Sequence, residues 1–472
     1  SQNAMSLIVG DQKQSIYRWR NGDWRILGNL DKELPKVNID VIPLKTNWRS
    51  EFEIIQFNNR IFQASLQMIN LYMGDENQNM RKAYSDVTQE CSKKEKEGHV
   101  SVEFITGPKE DYYENTLIRL VEKIEELQSQ GIRADEITIL VRKNKSIPMI
   151  AEYLSDYKKA NPEKPYNYDV ISDEAYRLDS SVAIQMIIQA LKYIAYPENP
   201  IYQAQLSLSY QTEIGKKDIS QLAGQIDKGA VSSITELEVA LNKAALLPLY
   251  EMVEDIYRIM QLDTLSGQES YMYSFLDGIN DFLIKKSSDI QAFLAYWDST
   301  LCVKTIPFSS EINGIKIMSI HKSKGLEFHT VILPFCDWTL TFDSSLSPLL
   351  WCSTDEEPYA KLPLLPIKYG KDMEESIFNK EFNEETEQLI VDNLNVLYVA
   401  LTRAEKNMII FGQNHEKKEE KEDKKKKDDN KMFRNVSDLM LTVLKTEEAF
   451  NNGWDEEKGI YTSGELYTKE KK

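Results

Sequence analysis

From Ile201 to Leu301 the chain shows apolar residues at helical spacing and almost no strand signal, and strand–helix alternation runs on both sides of it. Before it, Ser6–Gly10 is a short apolar run ending in Gly-Asp, which reads as a buried strand feeding a loop. Phe52–Tyr72 carries Ile54, Ile55, Phe57, Ile61 and Phe62 at helical spacing. Val100–Ile105 alternates as a strand, and Asn115–Gln130 is an amphipathic helix with Gly131 just past its end. The β-branched run Ile137–Val141 predicts a buried parallel strand. Ile147–Leu154 and Val182–Ile194 read as helices, and Tyr196-Pro197-Glu198-Asn199-Pro200 predicts a boundary. Within the strand-poor stretch, Glu236–Leu246 and Leu249–Met260 are helical. Strand signals resume at Ile315–Ile320 and Thr330–Phe335, followed by a helix near Glu384–Arg403 and a strand at Met408–Phe411. The predicted fold class is α/β, a layered parallel-sheet domain interrupted by an all-helical insertion.

Composition narrows the function. At 472 residues, 42% hydrophobic and 28% charged, the chain can bury sizeable cores in two to four domains. No apolar run approaches the length of a membrane span, so no membrane partner is expected. Cys91, Cys302, Cys336 and Cys352 form no C-x-x-C pair, and only four histidines occur, so no metal site is expected. Free thiols suit a cytoplasmic location. The net charge of −18 argues against a surface that grips nucleic acid everywhere, but leaves room for a basic groove. Glu416–Lys431 is nearly all Lys, Glu and Asp and reads as a solvated linker, whereas Val436–Phe450 regains amphipathic spacing. Ser1–Met5 reads as a tag remnant.

Four blocks carry candidate chemistry. Val9–Arg20 ends a strand in a polar loop and then interleaves Tyr17 and Trp19 with Arg18 and Arg20. Such a pattern suits single-stranded nucleic acid, whose bases stack on rings; two aromatics tucked into a core would look the same. Leu44–Ser50 places Trp48 and Arg49 before a helix that Ser50 can cap. Trp48 could stack a base and Arg49 reach a phosphate, or Arg49 could make an ordinary surface ion pair. Ile317–Phe328 delivers His321, Lys322, Lys324 and Gly325 from a buried strand, and the glycine permits close backbone approach. His321 reads equally as a hydrogen-bonded structural residue. Val396–Ala404 is an apolar helix ending in Arg403, where an arginine also complements the helix dipole.

In that order the blocks resemble the UvrD/Rep/PcrA and RecB/AddA helicases of superfamily one. Gly10–Arg20 resembles motif III, Thr46–Ser50 motif IV, Ser319–Phe328 motif V and Tyr398–Ala404 motif VI. Ile139–Asn144 resembles the strand before the family's helical insertion, and the wording of the first block with Trp48 leans toward the AddA/RecB-like branch. The resemblance implies a RecA-like fold, ATP with Mg2+ as cofactor, single-stranded and duplex DNA as partners, and 3′→5′ movement in repair or recombination. It gives Gln14 the sensing of the γ-phosphate, and makes Arg49 and Arg403 arginine fingers. Trp48 would stack on adenine, while Gly325 and Glu327 hold the phosphate and ribose side. Tyr17 and Trp19 would meet bases, and Ser319 and His321 the DNA backbone. Relatives usually carry Glu and Arg where this chain has Asn393 and Asn395.

No G-x-x-x-x-G-K-S/T occurs: Gly215-Lys216 and Gly370-Lys371 lack the upstream glycine and the following hydroxyl. No strand ending in Asp-Glu precedes Gly10 to hold magnesium. The implied organisation is a tag remnant (1–5), a remnant of a first RecA-like domain (6–38), a second RecA-like domain in two parts (39–196 and 306–413), a helical insertion (197–305), a charged linker (414–434) and a C-terminal helix and tail (435–472). The family's front half, with the magnesium ligands, is expected before Ser6. A second polypeptide of a helicase–nuclease complex is an implied partner, although no nuclease carboxylate cluster is evident. A helicase-like module that positions DNA without hydrolysis is the competing reading; it predicts loss of the motif arginines, and Arg49 and Arg403 are present.

Overall fold

A computed structural model describes residues 7–34, 39–73, 83–93, 95–107, 111–172, 177–217, 235–265, 267–286, 288–306, 313–341, 348–414, 433 and 435–468. The tag remnant 1–5 and the charged run Glu416–Lys431 lie outside the described residues. The chain divides into two compact units, Ser1–Ile171 with Asn313–Lys472, and Ser172–Ile312.

The first unit is built on an eight-stranded, mainly parallel sheet, as the α/β reading expects. Short β1 (Thr46–Asn47) and β2 (Glu90–Cys91) pair outside it. Its strands are β3 (His99–Thr106), β4 (Ile137–Val141), β5 (Val170–Ile171), β6 (Ile315–Ser319), β7 (Phe328–Leu333), β10 (Ala404–Asn414), β11 (Trp454–Asp455) and β12 (Ile460–Ser463). Their order across the sheet is β11-β12-β3-β10-β7-β4-β6-β5. All five residues of β4 are buried, because β6 and β7 flank it and both faces are covered. A separate hairpin joins β8 (Leu349–Cys352) to β9 (Leu365–Lys368).

Helix α1 (Phe52–Met73) turns Ile54, Phe57, Ile61 and Phe62 into the sheet's core. Helices α2 (Tyr112–Ser129) and α3 (Ser146–Ala160) follow β3 and β4. Gly131, at φ +85°, ends α2 in the left-handed turn that the sequence predicts. Two further long helices belong to this unit, α10 (Asn379–Leu401) and α11 (Val436–Thr446). Along α10, Ile390, Val391, Leu394, Leu397, Tyr398 and Leu401 are buried. Asn435 caps α11 by accepting from the Asp438 amide at 2.7 Å, and Leu439, Met440, Val443 and Leu444 dock on the core. After it, β12 adds an antiparallel edge beside β3, a hairpin that the sequence does not announce.

The second unit is helical: α4 (Val182–Ala195), α5 (Pro200–Ser209), α6 (Thr235–Ala244), α7 (Leu249–Ile259), α8 (Glu269–Lys285) and α9 (Ile290–Ser299). Its core joins Ile187, Leu191, Val253, Ile256, Phe275 and Phe293. The unit starts at Ser172, not at 197, because α4 buries its apolar face in this helical core. The Pro-Glu-Asn-Pro cluster starts a helix inside the unit: Asn199 accepts from the Ile201 amide at 3.0 Å, with Pro200 in the first turn.

One strand expectation fails. Leu7, Ile8 and Val9 are exposed and without regular secondary structure, and no strand of the described residues pairs with them. Among the described residues, no helix is long and apolar enough to cross a membrane.

Gly464 fixes the closing hairpin. It sits at φ +69°, and a Cβ there would lie 2.0 Å from the Gly98 carbonyl oxygen. Neither backbone can yield without parting β12 from β3. Gly464→Ala is expected to lower the stability of the sheet unit by roughly 1–3 kcal/mol. A melt of the variant within experimental error of the parent would contradict this packing.

Candidate functional site

Three chain segments meet at the amino ends of β7 and β10. Arg403 directly precedes β10, Glu327 directly precedes β7, and Trp48-Arg49 lies between β1 and α1. With Gln14, Asn47, Gln89, Lys93, Tyr398, Thr402 and Glu405 they line a cleft of about 540 Å³, within the usual range for a small-molecule site.

Local chemistry sets each side chain. Asn47 Oδ1 accepts from the amides of Arg49 and Ser50 at 2.9 and 3.0 Å, a side-chain turn that aims Arg49 at the cleft. Ser50 is not the expected helix cap. Its hydroxyl donates 2.7 Å to the Ala404 carbonyl and straps the turn to β10. Arg49 Nε bonds Glu327 at 2.9 Å, and its Nη1 bonds the Thr402 carbonyl at 3.1 Å.

Arg403 ends α10, as the helix-dipole reading expects, and also lines the cleft. It is 1% exposed, and its Nε bonds the Val399 carbonyl at 2.8 Å, completing the end of α10. Its Nη1 bonds the Leu326 carbonyl at 2.9 Å, and its Nη2 donates to the Thr402 hydroxyl at 3.0 Å. Burial, and then the neighbouring Arg49, pull its pKa down to about 10, so it stays charged at neutral pH. Lys93 reaches the cleft as a third cation, held by Glu51 at 2.9 Å and the Arg49 carbonyl at 3.1 Å. Cations held this close are arranged for an anion with several oxygens. Beside them Trp48 is 78% exposed and offers an open aromatic face. Gln14 sits on a 3-10 turn, Gln12–Gln14, with its amide 3.1 Å from Asp11.

Gly325 does not line this cleft. At φ +88° it supplies the turn that presents the Leu326 carbonyl to Arg403 and Glu327 to Arg49. Sequence reasoning missed Lys93, Tyr398 and Gln89. Gln89 donates to the Tyr398 hydroxyl at 3.1 Å and accepts from Asn47 at 2.8 Å. No motif marks Lys93 or Gln89, whereas Tyr398 opens the Tyr398–Ala404 block without a role of its own.

A second cluster carries the remaining candidates. The Tyr17 ring lies 6.3 Å from Trp19 and 5.8 Å from His321, and the Tyr17 hydroxyl donates to the His321 carbonyl at 2.9 Å. Arg20 covers the Trp19 ring at 4.4 Å, and Lys324 stands 5.3 Å from that of Tyr17. Trp19 is 66% exposed, which excludes its core reading; Trp24 is the buried tryptophan of this segment. Burial, and then Arg142, push the His321 imidazole below its usual range, so it is neutral at pH 7. Ser319 is 5% exposed in β6, so it lies largely beneath this surface.

Arg18 is already engaged. It pairs with Glu385 at 2.5 Å and Asp392 at 3.2 Å, both on α10. Burial works against its charge, but the two carboxylates more than offset that. Asp392 fares differently. Burial pushes its pKa up to about 6 against the pull of Arg18, and its Oδ1 has no hydrogen-bond partner among the described residues. A carboxyl raised in the folded state contributes stability that is full below the unfolded value near 4 and lost as pH rises through about 6. Asp392→Asn removes that loss, and Arg18 keeps Glu385. The variant is expected to match the parent at pH 4 and to exceed it at pH 7 by on the order of 2 kcal/mol. Thermal melts at the two pH values check this; equal melting at both would refute the raised pKa.

The sequence matches the UvrD-like helicase C-terminal domain family over residues 248–415 and the UvrD/REP helicase N-terminal domain family over residues 1–35. It is 21% identical over 478 residues to an ATP-dependent helicase/nuclease subunit of Streptococcus thermophilus, covering 87% of this chain and 38% of that protein. The protein of the same name in Streptococcus pneumoniae is 23% identical over 465 residues, covering 86% and 38%. The ATP-dependent DNA helicase PcrA of Staphylococcus aureus is 21% identical over 433 residues, covering 85% and 50%. The chain thus spans between 38% and 50% of the length of these relatives.

Proposed function

We propose that the chain is the rear half of an ATP-driven DNA translocase of the UvrD/Rep-like kind, a reading that its two domain-family matches and its relatives support. The observation that carries this reading is the cleft in which Arg49 and Arg403 stand together beside Trp48 and Gln14. Trp48 stacks the adenine, Glu327 meets the ribose side, and Gln14 senses the terminal phosphate. Arg49 and Arg403 stabilise charge on the γ-phosphoryl as it transfers. Mg2+ bound with the nucleotide would neutralise charge at its phosphates, held by ligands that the resemblance places in a first RecA-like domain. The amino acids present fit the nucleotide's base and phosphates, and among the described residues no cluster of acidic, His or Cys side chains is placed for a metal.

Tyr17 and Trp19 face the tracked strand, with Arg20 and Lys324 beside them and His321 at the edge. The movement is 3′→5′, in DNA repair or recombination, and the partner suggested by two of the relatives' names is a second subunit of a helicase–nuclease complex. Exposed Leu7–Val9 leads into Gln14, and exposed Val41, Ile42 and Leu44 lead into Trp48. These apolar stretches suit the docking of a P-loop domain. The motif arginines favour this motor over a helicase-like module that only positions DNA.

Without the phosphate-cradling loop, the chain alone is expected to show no DNA-stimulated ATP hydrolysis, whereas the chain joined to a P-loop-bearing first domain turns over ATP. In that assembled motor, Arg49→Ala lowers kcat by about a thousandfold with the melting temperature nearly unchanged. Arg403→Ala is the poorer probe, since it also strips three hydrogen bonds from a buried site. Hydrolysis by the isolated chain, or near-normal turnover in Arg49→Ala, would sink the assignment.

Trp19 gives an independent test. Loss of one base stack costs roughly 1–3 kcal/mol. Trp19→Ala in the assembled motor is expected to weaken single-strand binding by about one to two orders of magnitude. Unwinding suffers more than basal ATP hydrolysis, and the melting temperature holds because the ring is exposed. Unchanged strand affinity would remove Trp19 from the DNA path.

A further inference from the structure

Helix α10 carries a buried amide two turns before Arg403 whose side-chain hydrogen bonds all leave the helix. Asn395 is 1% exposed. Its Nδ2 donates to the Gln12 carbonyl at 3.2 Å and to the Ser15 carbonyl at 3.0 Å. Its Oδ1 accepts from the Tyr84 hydroxyl at 2.7 Å. Gln12 and Ser15 bracket Gln14. We propose that Asn395 is the positioning residue that clamps the Gln14 turn onto α10, tying the Gln14 side of the cleft to its Arg403 side. This inference rests on the nucleotide reading of the cleft.

The chemistry singles out an amide. Two donors must meet two carbonyls while one acceptor meets a phenol, and among side chains of this size only asparagine offers both. Burial holds the Tyr84 phenol well above its ordinary pKa, so it remains a neutral donor, and this fixes which way the Asn395 amide points. An aspartate would set oxygen against the two carbonyls, and a leucine would deprive the buried Tyr84 hydroxyl and two half-buried carbonyls of this partner.

The rest of the turn is held independently. The Gln14 amide bonds the Asp11 carbonyl, and the Ser15 amide bonds the Gln12 carbonyl, each at 3.1 Å. Lys13 is buried and pairs with Asp11 at 3.0 Å and Asp86 at 2.8 Å. The backbone on either side of Gln14 is therefore pinned to α10 and to the segment that carries Tyr84 and Asp86. The Gln14 side chain makes only the 3.1 Å bond to Asp11 among the contacts of the turn. A fixed base with a single side chain left to exchange partners is the arrangement a phosphate sensor needs. The strand side is tied to the same helix, because Arg18, between Tyr17 and Trp19, pairs with Glu385 and Asp392.

Two measurements test the clamp. In the chain itself, hydrogen exchange at the Gln14 and Ser15 amides is expected to speed up about tenfold or more in Asn395→Ala, with β4 and β10 unaffected. Exchange at the parent rate would overturn the clamp whatever the cleft binds. In the motor assembled with a P-loop domain, Asn395→Ala is expected to lower kcat about ten- to a hundredfold with the KM for ATP within about twofold, since the lost contact acts in the transition state. The Gln14→Ala/Asn395→Ala double variant is expected to be no slower than Gln14→Ala, because both act through one side chain. Additive losses would show that Asn395 acts elsewhere and would overturn the proposal. Normal turnover in Gln14→Ala would instead mark the nucleotide reading as the failure, and the coupling falls with it. Should Asn395→Ala fold poorly, Tyr84→Phe removes one hydroxyl from the same network and must show the same non-additivity in weaker form.

Discussion

The cleft depends on where β10 begins. β10 runs in parallel register with β3 on one side and β7 on the other, pairing Ala404 with Phe328. Around that start, the Phe328 amide bonds the Arg403 carbonyl at 3.0 Å and the Glu51 amide bonds the Glu405 carbonyl at 2.8 Å. The Ser50 hydroxyl takes the Ala404 carbonyl between them. Segments far apart in the chain are thus stitched to three consecutive residues, Arg403 to Glu405. Their side chains, Arg49, Glu327 and Arg403, have no other way to share a cleft. The sheet's hydrogen bonding, and the burial of apolar side chains from α1 and α10 on its face, hold the site's geometry. The exposed ion pairs over the remaining surface contribute little.

Placing two guanidinium groups together is costly, and the structure shows how that cost is met. The whole protein carries a net charge of −18, so its general field does not repel cations. Within the cleft, backbone carbonyls of Val399, Leu326 and Thr402 accept from the arginines without neutralising them. Carboxylates would have quenched the charge and left nothing for a phosphate. Glu327 does bond Arg49, and Glu327 is the more exposed partner. Dipoles fixed in advance need no rearrangement when negative charge develops opposite them, which is how such sites lower barriers.

Much of this was legible in the sequence because the chemistry lies in short blocks. The α/β alternation, the helical interruption and the order of the four blocks each need only local periodicity and neighbouring residues. Gln14, Trp48, Arg49, Glu327 and Arg403 do meet in one cleft. What escaped was decided by pairing at long range. Leu7–Val9 has the apolar content of a buried strand, yet it needs neighbours to become one. Ser50 stands where a cap would stand, but a carbonyl 354 residues away claims its hydroxyl. Ser319 belongs to a motif block, and its place in β6 buries it. Gly325 reads as a point of close approach, whereas its backbone angle serves the turn that aims its neighbours. Lys93 and Gln89 lie in no motif and enter the cleft only because β1 and β2 pair.

Helix α10 shows most plainly how one element serves several ends. Its apolar residues hold it on the sheet, which makes it rigid. A rigid helix can then use other positions for contacts that a flexible segment could not keep. Glu385 and Asp392 receive Arg18, Asn395 receives the turn around Gln14, and Val399 receives Arg403. From its amino-terminal half to its end, the helix therefore touches the segment bearing the exposed tryptophan, the turn bearing the glutamine and the buried arginine of the cleft. Asp392 keeps its place with a carboxyl oxygen left without a hydrogen-bond partner among the described residues, the sign of a contact retained against stability. Displacement of any one of these segments must either be carried by α10 or break a buried polar contact with it. A helix in that position is joined to both clusters by bonds that can be named, one residue at a time.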